Sequence, residues 1–227
     1  MKLSVVIAVY NEERTILKLL QRVAKVGLPK QVIVVDDCST DRTRTILRSL
    51  PPAQDLEIFY QERNQGKGAA LRMGFEAVTG DIVVIQDADL EYDPREYSTL
   101  IQPILDGKAD VVYGSRFLGG SHRVLLFWHY VGNRILTTLS NVMTDLNLSD
   151  METGFKAFKS EVLQKVRLRE NRFGFEPEFT AKIAKARCRV FEVPISYSGR
   201  DYDEGKKIDW KDGVAAIYFI LKYSVMN

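Results

Sequence analysis

The sequence predicts an α/β fold in which helices flank a mostly parallel sheet, followed by a C-terminal extension. Short apolar, β-branched segments alternate with segments of helical periodicity up to about residue 115, and polar residues directly follow several of the apolar segments. Strands that alternate with helices of this length imply right-handed crossovers and parallel pairing. Polar residues at the strand ends mark the crevice where such sheets bind ligands.

The elements of the first half can be assigned in order. Buried apolar runs predict strands, and apolar residues spaced by three or four predict helices. The predicted strands are Leu3–Val9, Val32–Val35, Leu56–Tyr60, Ile82–Gln86 and Asp110–Gly114. The predicted helices are Arg14–Val26, Thr43–Leu50, Gly68–Val78 and Pro94–Leu105.

The second half is less regular. We predict one or two amphipathic helices over Leu125–Met143, a short strand over Gly154–Phe158 and a helix over Pro177–Ala186. Val190–Tyr197 alternates like an antiparallel strand, and Trp210–Tyr223 predicts a final helix. Since no linker separates the parts, we interpret 1–227 as one domain with halves at 1–115 and 116–227.

The composition is ordinary for a soluble globular chain, with 45% apolar and 27% charged residues. Residues 1–115 carry a net charge of −3 and residues 116–227 a net charge of +5. This asymmetry suggests an anionic partner but is too mild for nucleic acid. Cys38 and Cys188 share no metal-ligand spacing, which favours free thiols over a disulfide.

We expect a cytoplasmic protein and leave peripheral attachment to the inner face of a membrane open. The N-terminal residues run directly into a predicted strand without the pattern of a cleavable signal. No apolar run reaches the roughly 18–20 residues that a transmembrane helix needs.

Two carboxylates, Asp87 and Asp89, follow the strand Ile82–Gln86. Carboxylates are too costly to bury unpaired, so this pair needs a cation or hydrogen-bond donors. Mg²⁺ or Mn²⁺ with a phosphate-bearing substrate fits, because these ions bind a few carboxylates together with substrate oxygens. An Asp-x-Asp triplet alone is common in surface loops, and its place after a buried strand favours the metal site. Glu91 could add another ligand oxygen.

Tyr10, Glu12 and Asp37 follow the first two strands and could line a pocket for a base and ribose. Alone, Glu12 could be an acid favoured by a helix dipole, and Asp37 a turn residue. Asn64–Ala69 is glycine-rich and opens a helix, so its amides and Lys67 could contact a phosphate. It lacks the spacing of a P-loop or a dinucleotide fingerprint.

Five of the motifs occur along the chain in an order that can be compared with known protein families. The segments are Ala8–Glu12, Val35–Ser39, Asn64–Gly68, Asp87–Asp89 and Gly114–Arg116. Together they resemble the inverting glycosyltransferases of family 2, which have the GT-A fold. Ser149–Lys156 and Arg200 with Gly205–Lys207 resemble the dolichol-phosphate mannose synthase branch, so the resemblance spans nearly the whole chain.

The resemblance implies transfer of a hexose, mannose or glucose, from a GDP- or UDP-linked sugar to a polyprenyl or dolichyl phosphate. It implies that the nucleotide sugar is bound by Ala8, Tyr10, Glu12, Asp37, Lys67 and Asp87. It also implies an Mg²⁺ or Mn²⁺ site formed by Asp87, Asp89 and Glu91, with Asp89 the most direct ligand. The family often has glutamine where this chain has Glu91, and proline where it has Ala8.

A phosphate acceptor is already anionic near neutral pH and needs no general base, unlike a sugar hydroxyl. It needs a cationic cradle in line with the anomeric carbon. The candidates are Arg116, Arg134, Arg200, Lys206 and Lys207, each of which could instead belong to a solvated basic face.

Three further points stay open. The aromatic cluster at 125–130 and the last helix could pack in the core or contact a lipid surface. The acceptor could be a saccharide or another hydroxyl, with Asp150 or Glu152 as the base. The chain could also be a non-catalytic module that binds nucleotide sugars.

Overall fold

The computed structural model describes residues 1–119, 121–124, 126–200 and 210–225. One seven-stranded sheet runs through the molecule in the order β3-β2-β1-β4-β6-β5-β7. The strands are β1 (Leu3–Val9), β2 (Lys30–Asp36), β3 (Leu56–Tyr60), β4 (Ile82–Ile85), β5 (Val111–Ser115), β6 (Lys156–Lys159) and β7 (Val190–Pro194).

Helices cover both faces of this sheet. They are α1 (Ile16–Lys25), α2 (Thr43–Arg48), α3 (Lys67–Glu76), α4 (Tyr97–Leu105), α5 (Phe127–Thr144), α6 (Val162–Lys165), α7 (Phe175–Lys185) and α8 (Trp210–Val225). A short 3₁₀ turn, Pro94–Glu96, precedes α4. The predicted helices and strands are therefore present, and α6 is an element that the sequence did not indicate.

The sheet is mostly parallel, as predicted. β1 lies between β2 and β4 and is parallel to both, and β2 is parallel to β3. β6 runs antiparallel to β4 and β5. The prediction that Val190–Tyr197 forms an antiparallel strand was wrong, because β7 is parallel to β5. Alternating polarity reflects the half-exposed position of an edge strand and carries no information about its direction.

The core has a layer on each side of the sheet. Leu3, Val5 and Ile7 of β1 face one layer, which includes α1 and α4. Val6 of the same strand faces the other layer, with residues of α3 and α7. Because both faces are covered, ligands can approach the sheet only at its edges and at its strand ends.

The carboxyl ends of β1, β2 and β4 meet at one edge of the molecule. Val9 pairs with Asp36 at the end of β2, and the amide of Asp37 donates to the carbonyl of Val9 at 2.9 Å. The amide of Gln86 donates to the carbonyl of Val6 at 3.0 Å. The polar segments that follow these strands are therefore neighbours, as the sequence predicted.

Candidate active site

An acidic cluster lies at the carboxyl ends of β1 and β4. It consists of Glu12, Asp89 and Glu91, whose side chains are largely buried. The chain turns tightly after β4, since Leu90 has a φ of +66° and the Glu91 amide donates to Asp89 Oδ1 at 3.2 Å. Three carboxylates from two strand ends thus contact the same side chain, that of Arg200.

Arg200 lies within this acidic cluster. Its Nη2 is 3.2 Å from Glu12 Oε1 and 3.1 Å from Asp89 Oδ2, and its Nε is 3.3 Å from Glu91 Oε1. Burial and the charges of Glu91 and Asp87 nevertheless raise the pKa of Asp89 to about 7. The guanidinium therefore leaves part of the negative charge uncompensated.

The donor chemistry of this cluster fits a hard divalent cation. Carboxylate oxygens are the ligands that Mg²⁺ and Mn²⁺ prefer, and the three carboxylates of the cluster outnumber the one guanidinium that contacts all of them. Among the described residues no three potential ligand side chains converge on one point. Asp87 instead contacts Lys67, and Arg200 holds Asp89 and Glu91.

Lys67 connects the start of α3 to Asp87 and to α7. Its Nζ is 2.8 Å from Asp87 Oδ1 and 3.0 Å from Glu176 Oε1. Burial opposes its charge, but these two carboxylates outweigh that effect and raise the pKa of Lys67. The ammonium is therefore charged and fixed beside Asp87, where it could contact a phosphate as the sequence predicted.

Asp37 holds the glycine-rich loop in place. It accepts hydrogen bonds from the amides of Gln65 and Gly66, both at 2.7 Å, and from Asn64 Nδ2 at 2.9 Å. Gly66 has a φ of +96°, a conformation that glycine adopts readily. The loop thus presents the amino end of α3 to the crevice, while nucleotide binding by Asp37 itself stays a prediction.

The remaining predicted donor-site residues lie at the end of β1. Ala8 and Tyr10 are half-buried, and Glu12 accepts a hydrogen bond from Thr15 Oγ1 at 2.7 Å. Glu12 precedes α1 and also contacts Arg200, so it belongs to the acidic cluster rather than acting only as a first-turn acid.

Arg116 follows β5 and forms a buried two-point pair with Asp150. Its Nε and Nη2 each lie 2.7 Å from a different oxygen of this carboxylate. Asn133 of α5 donates to the same carboxylate at 3.1 Å. Burial opposes ionisation of Asp150, but the charge and hydrogen bonds of Arg116 prevail and lower its pKa. Asp150 is therefore a poor candidate for a general base.

The other cations predicted for the acceptor site do not share the buried position of Arg116. Arg134 is exposed on α5, next to Asn133. Lys206 and Lys207 lie outside the described residues. In the described part of the chain the predicted cations therefore do not form one cradle: Arg116 is paired with Asp150 and Arg200 with the acidic cluster.

Tyr197 connects the acidic cluster to Arg116, and no sequence motif indicated that it belongs to the site. Its hydroxyl donates to Glu91 Oε2 at 2.7 Å, and its ring lies 5.2 Å from the Arg116 guanidinium carbon. The position follows from β7, which ends three residues earlier beside β5. The pairing of β7 with β5, together with backbone hydrogen bonds between Tyr197 and both Ser121 and Arg123, brings Tyr197 to the site.

Three more ionisable residues lie at this edge: Lys156 and Glu176 are buried, and Glu152 is half-buried. Burial and the charge of Glu176 raise the pKa of Glu152 to about 8, and burial lowers the pKa of Lys156 to about 8. Glu176 lies in the first turn of α7, where an acid is typical of any helix. Because an acid at this position needs no functional explanation, Glu176 was not selected from the sequence as a site residue.

An aromatic surface extends from the start of α5. We use this name for Val124, Leu126, Phe127, Trp128 and Tyr130, all of which are exposed. Trp128 is 78% and Phe127 65% exposed, so core packing does not explain these residues. Helix α8 also exposes large apolar side chains, those of Val214, Ile217, Tyr218 and Leu221. None of the described helices combines the length and apolarity needed to cross a membrane.

The sheet topology and the position of the acidic cluster define the GT-A type of fold. Residues 4–167 match the sequence model of Glycosyl transferase family 2, and the chain belongs to this family.

Two curated relatives make the similarity more specific. The chain is 30% identical over 211 residues to a dolichol-phosphate mannosyltransferase of Pyrococcus furiosus, covering 91% of this chain and 59% of that protein. It is also 30% identical over 209 residues to an undecaprenyl-phosphate 4-deoxy-4-formamido-L-arabinose transferase of Edwardsiella ictaluri, covering 89% of this chain and 62% of that protein. The chain thus spans about three fifths of the length of these relatives.

Solved structures share the fold at lower sequence identity. Glucosyl-3-phosphoglycerate synthase of Mycobacterium tuberculosis, in complex with Mn²⁺, UDP and phosphoglyceric acid, superimposes with a TM-score of 0.77 at 21% identity. The match covers 100% of this chain and 79% of that one. The same enzyme with Mg²⁺ and UDP gives a TM-score of 0.74, also at 21% identity, and covers 100% of this chain and 80% of that one. At this identity the likeness concerns the fold.

Proposed function

We propose that this chain transfers a hexose from a nucleotide sugar to a polyprenyl phosphate at a membrane surface, with Mg²⁺ or Mn²⁺. The observation that carries the proposal is the buried Arg116–Asp150 pair. It supplies a fixed cation for an anionic acceptor and occupies both oxygens of Asp150, which was one of two candidate bases. The names of the two curated relatives, which include dolichol phosphate and undecaprenyl phosphate, support the same class of acceptor.

The donor would bind at the carboxyl ends of β1, β2 and β4. Asp87, Asp89 and Glu91 would hold the metal, which when bound would supply Lewis-acid stabilisation of the nucleoside diphosphate as leaving group. Lys67, fixed 2.8 Å from Asp87, adds a positive charge at the same place. The loop at Gly66 directs the amino end of α3 toward the phosphates.

The acceptor phosphate would be held by Arg116. Its guanidinium is oriented by Asp150 and lies against the ring of Tyr197, so little conformational freedom is lost when the phosphate binds. A phosphate oxygen attacks the anomeric carbon, the bond from that carbon to the diphosphate oxygen breaks, and the configuration inverts. No proton has to be removed from the nucleophile.

A lipid acceptor requires the site to lie near a membrane, and the aromatic surface supports this part of the proposal. Tryptophan and tyrosine side chains suit the headgroup boundary. Asn133, which contacts Asp150, lies on α5, the helix whose first turn carries Phe127 and Trp128. The helix thus connects the proposed lipid contact to the proposed phosphate site.

A second candidate is transfer to a hydroxyl acceptor with Glu152 as the general base. The pKa of Glu152, raised to about 8 by burial and by Glu176, favours this role. In that case Glu152→Gln would lower kcat by orders of magnitude and leave the affinity for the donor unchanged.

Radiolabelled nucleotide sugars test the proposal directly. UDP-glucose, UDP-N-acetylglucosamine and GDP-mannose would each be incubated with a short polyprenyl phosphate or with a saccharide acceptor, with Mn²⁺, with Mg²⁺ or with EDTA. We expect metal-dependent transfer to the lipid phosphate from one donor, and loss of transfer in EDTA. Transfer only to the saccharide, or binding of the donors without any transfer, would overturn the proposal.

A further inference from the structure

Two carboxylate oxygens at the site are buried without a hydrogen-bond partner among the residues that the structure describes. They are Oε1 of Glu152 and Oε2 of Glu176. Folded proteins rarely leave such an acceptor unsatisfied, because it has lost its water without a replacement. Two such atoms in one region indicate that a ligand supplies the missing donors.

These oxygens lie between the parts of the site proposed for donor and acceptor. The other oxygen of Glu176 is 3.0 Å from Lys67 Nζ, which is itself 2.8 Å from Asp87. Glu152 lies close enough to Glu176 and to Arg116 for the charges of both to act on it. In the proposed reaction, a sugar that leaves a diphosphate beside Asp87 for a phosphate on Arg116 would pass next to these two oxygens.

Both carboxylates are held in position by the surrounding backbone. A Cβ on Gly154 would lie 1.9 Å from Asp87 Oδ2, so the loop that carries Glu152 approaches Asp87 only because this residue is glycine. The Gly154 amide also donates to the hydroxyl of Tyr92 at 3.1 Å. Glu176 is placed by the first turn of α7. The backbone segments that carry Glu152 and Glu176 are therefore placed by the fold itself.

The hydrogen-bonding capacity of these two unpaired oxygens indicates the class of ligand that would bind them. Carboxylate oxygens accept hydrogen bonds, so they fit groups with hydroxyl donors. A phosphate oxygen fits poorly beside Glu176 Oε2, because it is also an acceptor and carries the same sign of charge, whereas a hydroxyl group can pair with the Glu152 carboxyl in either protonation state. Of the parts of a nucleotide sugar and a polyprenyl phosphate, only the sugar offers several hydroxyl groups at this place.

We propose that Glu152 and Glu176 form the subsite for the transferred sugar, where they bind its hydroxyl groups and select the donor. The inference rests on the proposed function and deepens it. It assigns donor selectivity to the segment before β6 and to the start of α7, whereas the nucleotide is bound at the ends of β1 and β2.

Binding measurements separate the sugar from the nucleotide. Wild type, Glu152→Gln and Glu176→Gln would be titrated calorimetrically, in Mn²⁺, with UDP-glucose against UDP and with GDP-mannose against GDP. We expect the wild type to bind one nucleotide sugar more tightly than its diphosphate. Each variant should reduce that preference by roughly tenfold, the loss expected for one hydrogen bond to a charged group, while its affinity for the diphosphate stays within about twofold.

Glu161→Gln is the matched control, since its side chain is 54% exposed and lies beside Lys159 at the opposite end of β6. It should leave the preference unchanged. Glu152→Gln is the decisive variant, because Glu176→Gln also breaks the pair with Lys67, and melting curves would confirm that each variant is folded. A preference that persists in Glu152→Gln, or a wild type without any preference, would overturn the inference. If neither UDP nor GDP binds the wild type, the proposed function itself fails.

Discussion

Asp150 is the residue whose contacts most directly fix the cation of the proposed acceptor site. Its carboxylate is buried and is occupied by Arg116 and Asn133. We interpret it as a positioning residue for the cation that would bind the acceptor phosphate. Asparagine at this position would leave the Arg116 charge partly uncompensated in a buried place.

Asp150→Asn should therefore raise the KM for polyprenyl phosphate by about tenfold or more, with a much smaller change in the KM for the nucleotide sugar. Loss of a buried ion-pair partner should also lower the free energy of unfolding by about 3 kcal/mol. Steady-state kinetics with each substrate varied in turn, together with urea unfolding, would check both effects. An equal rise in both KM values would contradict a role confined to the acceptor.

The lowered pKa of Asp150 also predicts a pH effect. A carboxyl group whose pKa is lower in the folded state stabilises the protein above its unfolded pKa, and this contribution is lost as the pH falls through the folded pKa. The wild type should thus lose stability below about pH 4. Asp150→Asn lacks this contribution, so its free energy of unfolding should change less between about pH 5 and pH 2.

Gly154 is the residue at which a single methyl group should have the largest local effect. The added Cβ of Gly154→Ala would meet Asp87 Oδ2 at 1.9 Å, so the carboxylate or the loop must move. We expect a loss of transfer of about 100-fold, because small displacements of positioned groups are costly. Gly132→Ala is the control, since a Cβ there has no neighbour within 4 Å. Equal activity of the two variants would show that Asp87 tolerates the shift.

At the scale of elements, α5 has two different roles along its length. Its first turn carries exposed Phe127 and Trp128, whereas Thr137 and Ser140 are buried against the body of the protein. An exposed apolar cluster of this kind typically marks an interaction site. Its neighbour α8 exposes Tyr218 and Leu221 in the same way.

The double variant Phe127→Ser/Trp128→Ser should bind anionic lipid vesicles at least about tenfold more weakly than the wild type, because it removes apolar area that would insert at the headgroup boundary. Its melting temperature should change little, since both side chains are exposed. Vesicle co-sedimentation would measure the binding. Val142→Ser, on a 75% exposed residue of the same helix, is the control and should bind like the wild type. Unaltered binding by the double variant would place the lipid contact elsewhere.

At the scale of the whole molecule, the site joins both halves of the chain. The acidic cluster draws Glu12, Asp89 and Glu91 from the first half and is neutralised in part by Arg200 from the second. Ligands that bind this cluster should therefore stabilise the folded chain as a unit.

Mn²⁺ with UDP or GDP at about 100 times its Kd should add about 2.7 kcal/mol of stability. For a chain of this size that corresponds to an increase in melting temperature of about 5–10 °C. Asp89→Asn should remove most of this increase, while the exposed control Glu161→Gln should retain it. Differential scanning calorimetry would check the shift. A full shift in Asp89→Asn would show that Asp89 is not a ligand.

The acidic edge of the sheet could be predicted from the sequence. Strand ends are local features, and parallel strands bring their carboxyl ends to one edge, so the sequence could predict that Glu12 and Asp89 lie close together. The assignment of Lys67 to the start of a helix followed from Gly66 and Gly68 in the same way.

Only the tertiary structure decided the rest. The contacts of Arg116 with Asp150, of Tyr197 with Glu91 and of Arg200 with the acidic cluster join residues 34 to 188 positions apart. No local pattern encodes such a pairing, because it depends on the direction of β6 and β7 and on where the segments after them return. The sequence by itself determined the fold class and the acidic edge of the sheet, whereas three-dimensional packing determined which cations meet which carboxylates there.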